Sequence, residues 1–103
     1  MANILYVTEY ADAYHGGSTD QASFVTEPAN ADQAIDFTAG ATASSAFKNN
    51  TRLVRITSNA ICSVLFGTNP TATVNNSRMA AGTERIIGVP MGAGFKVSAI
   101  TNT

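Results

Sequence analysis

Residues 51–70, TRLVRITSNAICSVLFGTNP, carry the pattern from which the fold is read. Two apolar runs, 51–58 and 60–66, flank Ser58-Asn59 and close on Gly67. Val54 and Ile56 alternate with Arg55; Cys62, Val64 and Phe66 alternate with Ser63 and Leu65. Alternation of period two in β-branched residues is the mark of a half-buried strand. The spacing predicts an antiparallel hairpin turning at Ser58-Asn59, at the centre of a small β-sandwich.

Working outward, the same criterion predicts strands at 3–8, 22–27, 35–38, 83–89 and 95–101. The strand at 3–8 must find a sheet edge to pair with. Pro28 closes the second of these, because proline cannot continue a central ladder. Residues 29–34 read as a single helical turn, and 9–21 and 40–50 as loops. Residues 68–82 form a long loop with a brief extended piece at 71–74. The stretch 90–94, PMGAG, is a tight turn. No apolar pattern of period 3.6 lasts beyond two turns. The expected class is all-β: one domain over residues 1–103, a small antiparallel β-sandwich or jelly-roll-like barrel of about seven to eight short strands.

Composition narrows what such a domain can do. Of 103 residues 45% are hydrophobic and 13% charged, against a usual charged share of about 25%. A surface so poor in charge suits contact with other protein. The net charge of -1 gives no case for nucleic acid or an acidic membrane face. Its distribution is uneven. Residues 1–40 hold Glu9, Asp12, Asp20, Glu27, Asp32 and Asp36 and no Lys or Arg; residues 41–103 hold Lys48, Arg52, Arg55, Arg78, Arg85 and Lys96 against Glu84 alone. The halves are complementary, within one chain or between chains, unless these are solvated charges that happen to segregate. The single Cys62 excludes an internal disulfide and, mid-strand, reads as buried. No stretch approaches the ~20 apolar residues of a membrane helix. The opening MANILYV has neither the basic region nor the apolar core of a signal peptide, so synthesis and folding in a reducing cytoplasm are expected. The triplets at Asn49 and Asn75 are then chance matches to a glycosylation signal.

Catalytic chemistry finds no constellation. His15, in HGGS, has no nucleophile motif beside it. One His and one Cys nearly fifty residues apart are a poor start for zinc, and Asp12 with Asp20 lacks calcium-loop spacing. Asp32 and Asp36 are a carboxylate pair of the kind glycoside hydrolysis uses, but no aromatic sugar platform stands near and the chain has no Trp. Gly92-Ala93-Gly94 opens no helix, so it is a turn and not a phosphate cradle. The expectation is a protein that is not an enzyme, with no catalytic, cofactor-binding or metal-ligating residues and no cofactor.

Surfaces remain. All three tyrosines, Tyr6, Tyr10 and Tyr14, fall within nine residues. Tyrosine offers large area with a polar tip, so the cluster reads as a contact surface or as rings lying on their own core. If Val54, Ile56, Cys62, Val64, Phe66, Phe95 and Val97 fill the core, then Leu53, Ile61, Leu65 and Ile100 point the other way, with Arg55 among them. An outward apolar face marks an interface, unless the register slips by one residue. The candidate contact residues are therefore Tyr6, Tyr10, Tyr14, Leu53, Arg55, Ile61, Leu65 and Ile100, with residues 1–21 as an arm and loop making subunit contacts.

The run VRITSNAICSVLFGTNPTATVNNSRMAAGTERIIGVPMGAGFKVSAI resembles small virion proteins of tailed bacteriophages. The points of resemblance are an A-x-C-x-V-x-FG strand, a Pro-Thr-Ala loop, an RMAAGT turn, a V-P-x-G turn and a closing K-V strand, over about half the chain. The opening MANILYVTEYA is similar to such proteins too. The resemblance implies a jelly-roll sandwich and a structural role on the head, as a decoration or cement protein on the virion's capsid surface. Its implied partners are the major capsid protein and copies of itself, as a dimer or trimer, with no nucleic acid and no membrane. It carries over no catalytic residues. The alternatives are a tail or baseplate adhesin domain that binds host glycans, and a minor head–tail joining protein.

Overall fold

A computed structural model describes residues 2–11, 13–16, 20–25 and 29–102, the stretches 13–16 and 20–25 by their backbone. Among the described residues there are ten strands: β1 (Ile4–Tyr10), β2 (Ala13–Gly16), β3 (Asp20–Val25), β4 (Ala31–Asp36), β5 (Thr42–Ala43), β6 (Leu53–Ser58), β7 (Cys62–Gly67), β8 (Ser77–Met79), β9 (Glu84–Gly88) and β10 (Lys96–Thr101). Eight of them build two four-stranded antiparallel sheets, ordered β4-β1-β6-β9 and β5-β10-β7-β8; β2 and β3 pair only with each other. The protein is all-β, a small sandwich.

The strands are nested in pairs. β7 lies beside β8, β6 beside β9, β5 beside β10, and β4 beside β1, with successive pairs alternating between sheets. Burial follows the period of two. Leu5, Val7, Ile35, Val54 and Ile56 face inward from the first sheet; Cys62, Val64, Met79, Val97 and Ala99 face them from the second. Phe66 and Phe95 are partly buried against this core, and Phe66 meets Phe47 with ring centroids 6.3 Å apart. The expected core face is the one observed, and Cys62 is buried in it.

The expected central hairpin does not form. β6 and β7 are consecutive but belong to opposite sheets, so Ser58-Asn59 is an arch across the sandwich. Asn59 docks on the β1 end: its Oδ1 accepts from Ile4 N at 2.8 Å, its N–H donates to the Ile4 carbonyl, and its Nδ2 donates to the Ala2 carbonyl. Hairpin and arch both aim Val54, Ile56, Cys62 and Val64 at one core, so alternation alone does not separate them.

Three other expectations change. β1, expected to seek out a sheet edge, is an interior strand, bonded to β4 on one side and β6 on the other. Residues 4–10 are therefore sheet, not arm; of the rest of the predicted arm, 13–16 and 20–21 fall in β2 and β3, and residues 1, 12 and 17–19 lie outside the described residues. Residues 31–36 form a strand where a helical turn was expected, because pairing with β1 outweighs the weak helical preference of NADQA. Residues 71–74 are not extended into a sheet; the short strand of that loop is β8.

Candidate functional site

Three surfaces are candidates: a cleft at one edge of the sandwich and the outer faces of the two sheets. The cleft encloses about 210 Å³ and is lined by Glu9, Ala31, Asp32, Gln33, Ser45, Ala46 and Lys48. At its base lies Glu9, which shares the inward parity of Leu5 and Val7 and is 1% exposed. Its Oε1 accepts from Lys48 N at 2.7 Å and Thr51 Oγ1 at 2.8 Å; its Oε2 accepts from Gln33 Nε2 at 3.1 Å. A buried carboxylate is tolerated when donors replace its water, and three do so here. Gln33 also clasps Ser45 through backbone N–H and C=O. Glu9 and Gln33 thus lace the open side between β4 and the chain that follows β5. A carboxylate with its lone pairs so committed is a structural latch rather than a base or nucleophile.

The first sheet's outer face is set by register. Across it run Ala34–Tyr6–Thr57–Glu84 and, one step along, Asp32–Thr8–Arg55–Ile86. Tyr6 and Ile86 are the large apolar side chains exposed here, at 47% and 44%. Arg55 lies 3.8 Å from Glu84 and 5.7 Å from the centroid of the Tyr10 ring. Both members of that ion pair belong to the basic half of the sequence.

The second sheet's outer face is covered differently. The loop after β7 folds back across it: Ala72 N–H donates to Ser98 Oγ at 3.0 Å, Ser63 Oγ donates to the Val74 carbonyl, and Asn102 Nδ2 donates to Ser63 Oγ at 2.6 Å. Pro70, Ala72, Ser63 and Ser98 are buried beneath or within this strap.

The predicted contact residues therefore separate. Tyr6 is exposed on the first sheet, with Leu53 and Arg55 half-buried on the same face. Tyr10 departs from expectation: it is fully buried, so its ring is not contact surface in this chain. Leu65 and Ile100 do point away from the core, but onto the face that the strap crosses, and both are half-buried, as is Ile61 before β7. The register was not slipped; the chain's own loop meets part of that apolar face. The side chain of Tyr14 lies outside the described residues, as do those of His15, Asp12 and Asp20. Ile86, missed as a candidate, was visible as the outward member of the ERIIG alternation.

Two groups have perturbed acidity. Thr38 donates from both Oγ1 and N–H to Asp36 Oδ1, holding that exposed carboxyl below its ordinary range. Burial pushes the Cys62 thiol up. Asp32 and Asp36 sit four residues apart on one strand, about 13 Å at strand rise. Paired glycosidase carboxylates stand within about 9.5 Å, so this pair does not fit that chemistry. Among the described residues no group of three or more His, Cys, Asp and Glu is placed to hold a metal ion.

No protein-family model, curated protein or solved structure matches the chain.

Proposed function

We propose that this protein is a decoration, or cement, protein of a tailed-bacteriophage head, made in the host cytoplasm and bound to the outside of the major capsid shell. The observation that carries the proposal is the first sheet's outer face. On it Tyr6 and Ile86 stand exposed, with Ala34, the half-buried Thr8 and Thr57, and the charged Asp32, Arg55 and Glu84 around them. Exposed tyrosine and isoleucine bordered by charged residues suit a shallow protein contact with a polar rim. Many copies, each burying about 1,000 Å² or more, would stabilise a shell by multivalency.

Two further points support this reading. The sequence resembles small head proteins of such phages. The nested pairing is also the jelly-roll strand order with the usual last strand, here β1, placed first in the chain. The adhesin reading has less behind it: the cleft lining includes no aromatic residue on which a sugar ring could stack.

The test is co-sedimentation of purified protein with heads of the phage that encodes it, prepared from a strain lacking this gene. Saturable binding that protects the heads against heat, and is lost in Tyr6→Glu, is the expected result. Heads that neither bind nor gain stability would refute the proposal.

A further inference from the structure

Among the described residues the first sheet ends in β9, which pairs on one side only. Which backbone groups face outward follows from the ladder. Val89 N–H donates to the Arg52 carbonyl at 2.9 Å, so that carbonyl faces β9, while the Arg52 N–H turns to the Tyr10 carbonyl where the strand begins. Alternation makes Val54–Ile87 and Ile56–Arg85 bonded pairs, and sends the N–H and C=O of Glu84, Ile86 and Gly88 away from β6. The other strands agree. Asn59 N–H bonds the Ile4 carbonyl, which turns 55 and 57 toward β1 and leaves 54 and 56 for β9. The same three residues, Glu84, Ile86 and Gly88, are exposed.

We infer that this edge is a docking surface for a second copy of the chain, pairing β9 with β9 antiparallel about a two-fold axis at Ile86. Of the registers that oppose outward residues, this one alone joins all three: Ile86 to its own copy, Glu84 to Gly88 and Gly88 to Glu84. Charge selects it as well. A two-fold at Glu84 would oppose two carboxylates, unfavourable in a directly facing pair, and one at Arg85 would join only Glu84 and Ile86 and leave Gly88 unpaired with an outward residue of β9. At Ile86 no charge meets its like, Gly88 leaves room for the Glu84 side chain, and two half-exposed isoleucines come together. An edge of this kind is a template that chains otherwise blunt with a lysine, proline or bulge. Here Arg85 turns back instead, its guanidinium donating to Ser77 Oγ and the Arg78 carbonyl of β8. The result is one continuous eight-stranded sheet and a closed, isologous dimer.

The inference names the self-contact of the proposed decoration protein, but it is tested on purified protein without capsids. Its failure is therefore separable from failure of shell binding. Sedimentation equilibrium should show a dimer. Ile86→Lys, which places two ammonium groups on the axis, should give a monomer whose circular dichroism is unchanged. Ile86→Cys should oxidise to a covalent dimer, since facing residues in a bonded pair lie about 5.5 Å apart between Cα atoms, within disulfide range. Val74→Cys, exposed on the loop beside the other sheet, should not. A wild-type monomer or trimer, a dimer that survives Ile86→Lys, or an Ile86→Cys chain that stays uncrosslinked would each overturn it.

Discussion

Asn30 N–H donates to the Glu9 carbonyl at 2.6 Å, so the chain re-enters the first sheet beside the point where it left. Everything from residue 11 to residue 29 is thus an excursion from the tip of a β1–β4 hairpin. Glu9 faces Ala31 at the last register position, a separation that a two-residue turn closes.

The first prediction concerns that excursion. Replacing residues 11–29 by Asn-Gly should leave a cooperatively folding sandwich, because both four-stranded sheets are kept. Deleting residues 1–20 should instead abolish folding, because it removes β1 with Leu5, Val7, Glu9 and Tyr10, all buried. Thermal melts of the two variants decide between an arm at 1–10 and a loop at 11–29. If the excursion contacts the capsid, the first variant folds yet binds heads weakly.

The second prediction concerns Glu9. Glu9→Ala leaves Lys48 N–H, the Thr51 hydroxyl and the Gln33 amide without their acceptor. Each orphaned donor costs about 1–3 kcal/mol, so a loss of at least about 3 kcal/mol is expected, a large part of a typical ~5–15 kcal/mol total. Thr51→Val keeps the shape and removes one donor, and should cost about 1–2 kcal/mol. Urea denaturation at pH 7 measures both. Equal, negligible losses would show that the latch does not stabilise the fold.

How far these features can be read from the sequence depends on whether they are local. Alternation at Val54-Ile56 and Cys62-Val64 identified the core face, since period two is a property of each strand alone. Whether β6 and β7 share a sheet is not: it depends on Asn59 docking at Ile4, fifty-five positions away. β4 carries one large buried apolar residue, Ile35, too little for a pattern, and β1 makes it a strand. The Glu9 latch was half visible, because Leu5-Val7-Glu9 share a face; its donors come from two other segments, Gln33 on β4 and Lys48 and Thr51 in the loop before β6. The strap over Ser63 and Ser98 left no mark, since a loop that crosses a sheet has no periodicity.

The third prediction tests the side of the sandwich where β8 and β9 are tied. Arg85→Met keeps the aliphatic stem and removes the bonds to Ser77 and Arg78. A charge-assisted pair of this exposure is worth about 1–2 kcal/mol. Glu84→Gln, which breaks only the exposed contact with Arg55, should change stability by less than about 1 kcal/mol. Comparing urea midpoints at low protein concentration separates the two without interference from association.

The fourth prediction follows from Cys62. Its thiol is buried among Val64, Met79 and the residues of the facing sheet, and burial raises its pKa above the ordinary 9.0 by disfavouring the thiolate. Because the folded-state value is the higher one, the unfolded chain loses this proton first as pH rises. The stability tied to that thiol is fully present below the unfolded value and is lost as pH climbs from there toward the folded one. Only the thiolate reacts with disulfide reagents, so native protein at pH 8 should label at the rate of opening, and denatured protein at once. Cys62→Ala should remove this thiol's share of the alkaline loss of stability. Labelling of the native protein as fast as of the denatured one would mean that the two sheets do not close over Cys62 in solution.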